Sequence, residues 1–128
     1  MKANELMVGD YVNVSPSMMT IKVESVIYKR VRYRSCTGRV ITVSEGLIVH
    51  IPLTPKILER NGFSLIDKAD KIYRLEFADG VYIQVDFKAD EPYVYVSNRC
   101  YFASPYCNAV HHLQHALKLC GIEKEIEL

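Results

Sequence analysis

Along the first fifty residues, apolar and polar positions alternate in short runs: DYVNV, MMTIKVESVIY, RVRYR, RVITVS and GLIVHI. A period of two, with many Val, Ile, Tyr and Thr, predicts half-buried β-strands. Turn residues separate the runs at SPS, TG and EG. Several short strands packed this closely predict a small, strongly bent sheet or barrel.

The pattern then breaks at IPLTPKILERNGF. Thr54 can cap a helix through its hydroxyl, and Pro55 fits the first helical position because no amide hydrogen is needed there. Leu53 before the cap and Leu58 four residues beyond it form a hydrophobic staple. Gly62 suits the left-handed conformation that ends a helix, with Phe63 folding back on Leu58. A helix of two turns or fewer follows.

Alternation resumes in KIYRLEF and VYIQVDF, joined through Asp79-Gly80, a hairpin signal. Tyr73, Leu75 and Phe77 share one face of the first strand, and Val81, Ile83, Val85 and Phe87 one face of the second; Arg74, Glu76, Gln84 and Asp86 fall opposite. PYVYVS and RCYFA predict further strands. A last helix is expected from about Pro105 to Cys120, capped near Ser104 and stopped by Gly121. On a helical wheel Val110, Leu113, Leu117 and Cys120 form its apolar stripe, with Ala109 and Ala116 beside it. His111 and His115 then lie on the far, solvent side, and His112 at the boundary. The tail GIEKEIEL alternates again and predicts a strand with Glu123, Glu125 and Glu127 on one face.

These elements define an α+β fold. Residues 1–52 form a β-rich lobe, a bent sheet or small barrel. Residues 53–128 supply a short linking helix and an antiparallel sheet packed by a C-terminal helix, and the two parts are expected to form one compact unit. At 128 residues the chain has the length of one ordinary domain. Its formal charge of +1 creates no global field for nucleic acid or acidic membrane. The charge is nevertheless uneven: Lys22, Lys29, Arg30, Arg32, Arg34 and Arg39 face Glu24 alone between positions 22 and 39, whereas the segment after Glu59 leans acidic. No apolar run approaches the ~20 residues of a membrane span. MKANELMVGD lacks the apolar core of a secretion signal, so a cytoplasmic protein without membrane contact is expected. Cys36, Cys100, Cys107 and Cys120 show no CxxC pair and read as free thiols.

Few chemistries find their residues here. HHLQH (residues 111–115) has two histidines four apart, but His112 stands where a zinc hydrolase of the HExxH type needs its glutamate base. Cys107, His111 and His115, with Cys100, are a sparse set for a structural zinc, the cysteines being seven apart. No glycine-rich phosphate loop is present, and nothing beside Cys107 and His111 supplies an oxyanion hole. The reading is therefore non-enzymatic, with no cofactor and no metal. Two binding surfaces stand out. In KRVRYRS, Val31 and Tyr33 point one way while Arg30, Arg32 and Arg34 point the other, about 7 Å apart. Such a row can track a phosphate backbone, with Tyr28 or Tyr33 near a base. The bland alternatives are an edge strand protected by its charge, or one paired with acids elsewhere in the protein, those of the tail among them. Tyr82, Tyr93 and Tyr95, with Arg74 beside them, could form a stacking surface.

The opening VGDYVNV resembles the first turn and strand of SH3-like barrels, KOW domains among them. ELMVGDYV, IPLTPKILERNGF and VHHLQHALKLCGIEKEIEL resemble, from one end of the chain to the other, a family of small proteins of gut anaerobic bacteria and their prophages or mobile elements. The resemblance implies a bacterial cytoplasmic accessory protein and brings no catalytic residues. The expected function is a binding or interaction module with a protein partner, itself included. A nucleic-acid binder using Arg30, Arg32 and Arg34 is the first alternative, and a zinc-dependent hydrolase through His111 and His115 the remote one.

Overall fold

The computed structural model describes residues 1–78, 81–87, 93–96, 109–119 and 121–128, with the side chains of 78, 81 and 93–96 left aside. The fold is α+β, with two antiparallel sheets and a C-terminal helix. The chain divides into two compact units, Met1–Ile51 and Pro52–Leu128.

In the first unit the five alternating runs become five strands: Tyr11–Val14 (β1), Met19–Ile27 (β2), Arg30–Arg34 (β3), Val40–Ser44 (β4) and Ile48–Val49 (β5). They pair in the order β4-β3-β2-β1-β5, and a 3-10 turn at Glu45–Leu47 leads from β4 into β5. The long β2 pairs with β1 through Met19 to Lys22, and with β3 from Val23 onward. Register slips between Val23 and Ser25. An extra residue of this kind bends a strand, so one strand can serve both halves of a bent sheet. With β4 and β5 at its two ends, the sheet is open and does not close into a barrel.

Alternation puts Val12, Val14, Ile21, Val23, Val31, Tyr33 and Ile48 inside, where Ala3 and Leu6 join them. The VGD motif supplies the turn that delivers the chain to β1. Gly9 has φ of +93°, a conformation that costs glycine little. The Asp10 N–H donates to the Met7 carbonyl at 3.1 Å. The buried Asp10 carboxylate accepts from the Met7 N–H at 2.8 Å.

In the second unit the helix α1 (Pro55–Arg60) has the caps its sequence calls for. The Thr54 hydroxyl accepts from the Ile57 N–H at 3.3 Å, and Leu53, Leu58 and Phe63 are buried. Gly62 has φ of +88°. The Phe63 N–H donates to the Leu58 carbonyl at 3.0 Å and the Gly62 N–H to that of Glu59 at 3.1 Å, the double closure of a Schellman end. Ser64–Asp67 (β6), Ile72–Ala78 (β7), Val81–Asp86 (β8) and Tyr93–Val96 (β9) follow in sheet order β6-β7-β8-β9. The expected turn at Asp79-Gly80 and the strand RCYFA lie outside the described residues. The strand β6 has no counterpart in the sequence reading. Its Leu65 and Ile66 are adjacent, both 46% exposed, and a bulge follows, so no period of two is visible there.

The C-terminal half corrects three expectations. The helix α2 runs over Val110–Leu119, and Ala109 before it sits in a bridge with Pro52; the expected cap at Ser104-Pro105 lies outside the described residues. Val110, Leu113, Ala116 and Leu117 are buried as the wheel requires, but so are His111, at 2% exposure, and Gln114. Only Lys118 and Leu119 of this helix are exposed, and His112 and His115 are half-buried. A wheel ranks positions by residue type, whereas here the imidazoles pack on one another. The His111 ring lies 4.3 Å from that of His112 and 5.6 Å from that of His115.

The tail, finally, is not a strand. The side chain of Asn61 does what a neighbouring strand would do. Its Oδ1 accepts from the Glu127 N–H and its Nδ2 donates to the Glu127 carbonyl, both at 2.7 Å. Ile126, next in line, is buried.

Candidate nucleic-acid interface

The basic row lies where the alternation of β3 puts it. Val31 and Tyr33 are buried, and Arg30, Arg32 and Arg34 are exposed on the opposite face. The position of the strand overturns the first bland alternative, whereas the second holds for one of the three arginines, which an internal acid, Glu24, engages. β3 is an interior strand, flanked by β2 and β4. Its arginines therefore protect no edge, and no side of its ladder is open to the acidic tail.

The three arginines are not equivalent. Arg34 makes a two-pronged pair with Glu24, Nε to Oε2 at 3.2 Å and Nη2 to Oε1 at 2.9 Å, and donates a third bond to the Gly38 carbonyl at 3.1 Å. Through those side-chain hydrogen bonds Arg34 holds the Glu24 carboxyl below the ordinary glutamate value, with weaker attraction from the charges of Arg34 and Arg32. The same bonds raise Arg34 above the usual arginine value. The sequence does not reveal this pair, because it depends on the bulge. In an unbroken hairpin ladder Glu24 would oppose Tyr33; the slip makes Val23 oppose Tyr33 and leaves Glu24 within reach of Arg34.

Arg30 and Arg32 have no ion pair or hydrogen bond from their guanidinium groups among the described residues. Arg30 stands between Ile27 and Ser44, and Arg32 between Ser25 and Thr42. The residues directly opposite them in the ladder are neutral. At the tip of the β2–β3 hairpin Tyr28 is 84% exposed, and the Lys29 ammonium lies 5.5 Å from its ring. Tyr33 is buried at 5% exposure. Of the two tyrosines considered for a base, only Tyr28 can meet one. Residues 1–51 carry seven Lys and Arg against four Asp and Glu, an excess of three positive charges in this unit.

The second candidate surface is already occupied in part. Arg74 lies 3.9 Å from the centroid of Tyr82 and donates to Gln84 Oε1 at 2.9 Å, so one face of the Tyr82 ring is covered. Tyr93 and Tyr95 take register positions opposite Asp86 and Gln84, and their side chains lie outside the described residues. On the opposite side of this sheet Tyr73 is raised above the ordinary tyrosine value, by burial first and by the nearby Glu59 second.

Among the described residues no group of three or more His, Cys, Asp or Glu is placed to hold a metal; Cys100 and Cys107 lie outside them. No described helix is long and apolar enough to cross a membrane. Comparison with protein-family models, with curated proteins and with solved structures gave no match.

Proposed function

We propose that this chain is a non-enzymatic binding module whose first unit takes the phosphate backbone of a nucleic acid on its Arg30/Arg32 face. The observation that carries the reading is the placement of two adjacent, exposed guanidiniums on an interior strand. Edge protection does not account for them, and no acid among the described residues is bonded to either, while phosphate accounts for both. Tyr28 and Lys29 extend the surface at the hairpin tip, where a stacked base would sit beside a cation.

The module belongs, in this reading, to the SH3-like class. Supporting that are the strand order β4-β3-β2-β1-β5, the bend in β2 and the 3-10 turn before β5. The resemblance of its motifs to small proteins of bacterial mobile elements supports a cytoplasmic accessory role, with a protein partner as the second reading. The burial of His111 weighs against a hydrolase built on His111 and His115.

The test is a binding titration with short single-stranded and duplex oligonucleotides at several salt concentrations. Two phosphate contacts give a slope of log K against log salt of about −1.4 for single strands and about −1.8 for duplex. Lys29 and Arg39 steepen it if they take part. Absence of salt-sensitive binding to either form refutes the proposal.

A further inference from the structure

The strand that does form the edge of the first sheet carries none of the usual protection. β4, Val-Ile-Thr-Val-Ser, has no charged residue and no proline, and its ladder with β3 runs without a register shift. Sheet edges are normally blunted by lysine, proline or a bulge, because an unprotected edge pairs with another strand.

The hydrogen bonds show which groups the edge offers. The Glu45 N–H donates to the Lys29 carbonyl at 2.9 Å and the Ser35 N–H to that of Arg39 at 2.8 Å. In an antiparallel ladder these bonds flank the pairs Arg30–Ser44 and Arg34–Val40, so neither pair exchanges bonds directly. Ile41 and Val43 therefore turn their backbone groups toward β3. Val40, Thr42 and Ser44 turn their N–H groups to the open edge, and Val40 and Thr42 their carbonyls as well.

We propose that this edge pairs with β4 of a second copy of the chain, antiparallel and centred on Thr42. That register matches Val40 with Ser44 of the partner strand and Thr42 with its own counterpart, and it uses the Thr42 N–H and carbonyl, the Ser44 N–H and the Val40 carbonyl of each copy. The strand is self-complementary in its side chains too. Thr42 meets Thr42 on the exposed face, a favourable cross-strand pair, and Ile41 meets Val43 on the core face. β5, the other end of the sheet, has two residues and offers too little backbone to match five.

A two-fold axis perpendicular to the sheet keeps both exposed faces on one side. Three strand spacings then separate the two β3 strands, about 14 Å. That exceeds the screening length of about 8 Å at physiological salt, so the arginine rows do not oppose pairing. The partner copy thus contributes a second Arg30 and Arg32 to one continuous basic surface. The pairing stands on strand geometry alone, and its consequence for nucleic acid rests on the function proposed above. Five residues bury less than a stable dimer interface does, so the association is weak and depends on concentration.

Sedimentation velocity of the full chain from about 5 μM to about 1 mM, a range that covers weak complexes, tests it. Wild type is expected to shift from monomer to dimer. Thr42→Pro removes an outward N–H that β3 does not use, and should keep the chain monomeric. Thr42→Lys sets two like charges opposite each other at the axis and should weaken association at least tenfold; it serves if the proline variant does not fold. A wild-type monomer throughout overturns the proposal, and so does a dimer indifferent to Thr42→Lys. Oligonucleotide titrations on the same samples separate the two claims. Binding by a strict monomer refutes the pairing and spares the nucleic-acid reading. A Thr42-dependent dimer that binds no oligonucleotide refutes the nucleic-acid reading and spares the pairing.

Discussion

Leu113→Ala is expected to cost about 2–5 kcal/mol, because it empties a fully buried site in the middle of α2. Leu119→Ala, in the same helix but 63% exposed, should stay within about 0.5 kcal/mol of wild type. The informative variant is His111→Ala. Residue type alone puts His111 on the wet side of the wheel, where its loss would be neutral. At 2% exposure, against the rings of His112 and His115, its loss leaves a void between packed rings and should cost about 1–3 kcal/mol. Chemical denaturation of the three variants decides the matter. A His111→Ala curve that overlays Leu119→Ala would contradict the burial of the histidine cluster.

Asn61→Ala should cost about 1–3 kcal/mol and free the C-terminal tail. The buried Asn61 amide donates to the carbonyls of Ile57, at 2.8 Å, and Glu127, and accepts from the Glu127 N–H. It therefore ties the end of α1 to a segment 66 residues away. Asn61→Asp separates packing from hydrogen bonding. Its shape is nearly unchanged, but it turns a carboxylate oxygen toward two carbonyls that had a donor, and should destabilise at least as much as alanine at neutral pH. Hydrogen exchange at Glu127 should accelerate in both variants. Slow exchange there in Asn61→Ala would mean that Ile126 alone anchors the tail.

What could be read from the sequence follows the range of the interactions. The five strands of the first unit rest on period-two alternation over neighbouring residues, and α1 on caps within ten residues of one another. Both were legible, down to the Thr54 hydroxyl and the fold-back of Phe63. The inward and outward faces of β3 were legible for the same reason. The neighbours of β3 were not, because strand order is a tertiary fact; the arginine row reads equally as an edge or an interior feature until β4 is placed. The Glu24–Arg34 pair depends on a one-residue bulge that no composition rule locates. The tail carries a strand's alternation, yet a single asparagine side chain takes both backbone groups of Glu127, and that contact spans half the chain. His111 shows the same limit. Polarity states what burial costs, not whether neighbouring rings cover the site.

The central claim is that Arg30 and Arg32 hold phosphate while Arg34 is already engaged by Glu24. The most direct measurement compares oligonucleotide affinity for two double variants across a salt series. Arg30→Ala/Arg32→Ala should lose roughly tenfold or more near physiological salt, and its log–log slope should flatten by about 1.4 for single strands and about 1.8 for duplex. Glu24→Ala/Arg34→Ala removes a neutral pair and should keep the wild-type slope. Equal weakening of the two variants, or a wild-type slope for Arg30→Ala/Arg32→Ala, would contradict the account.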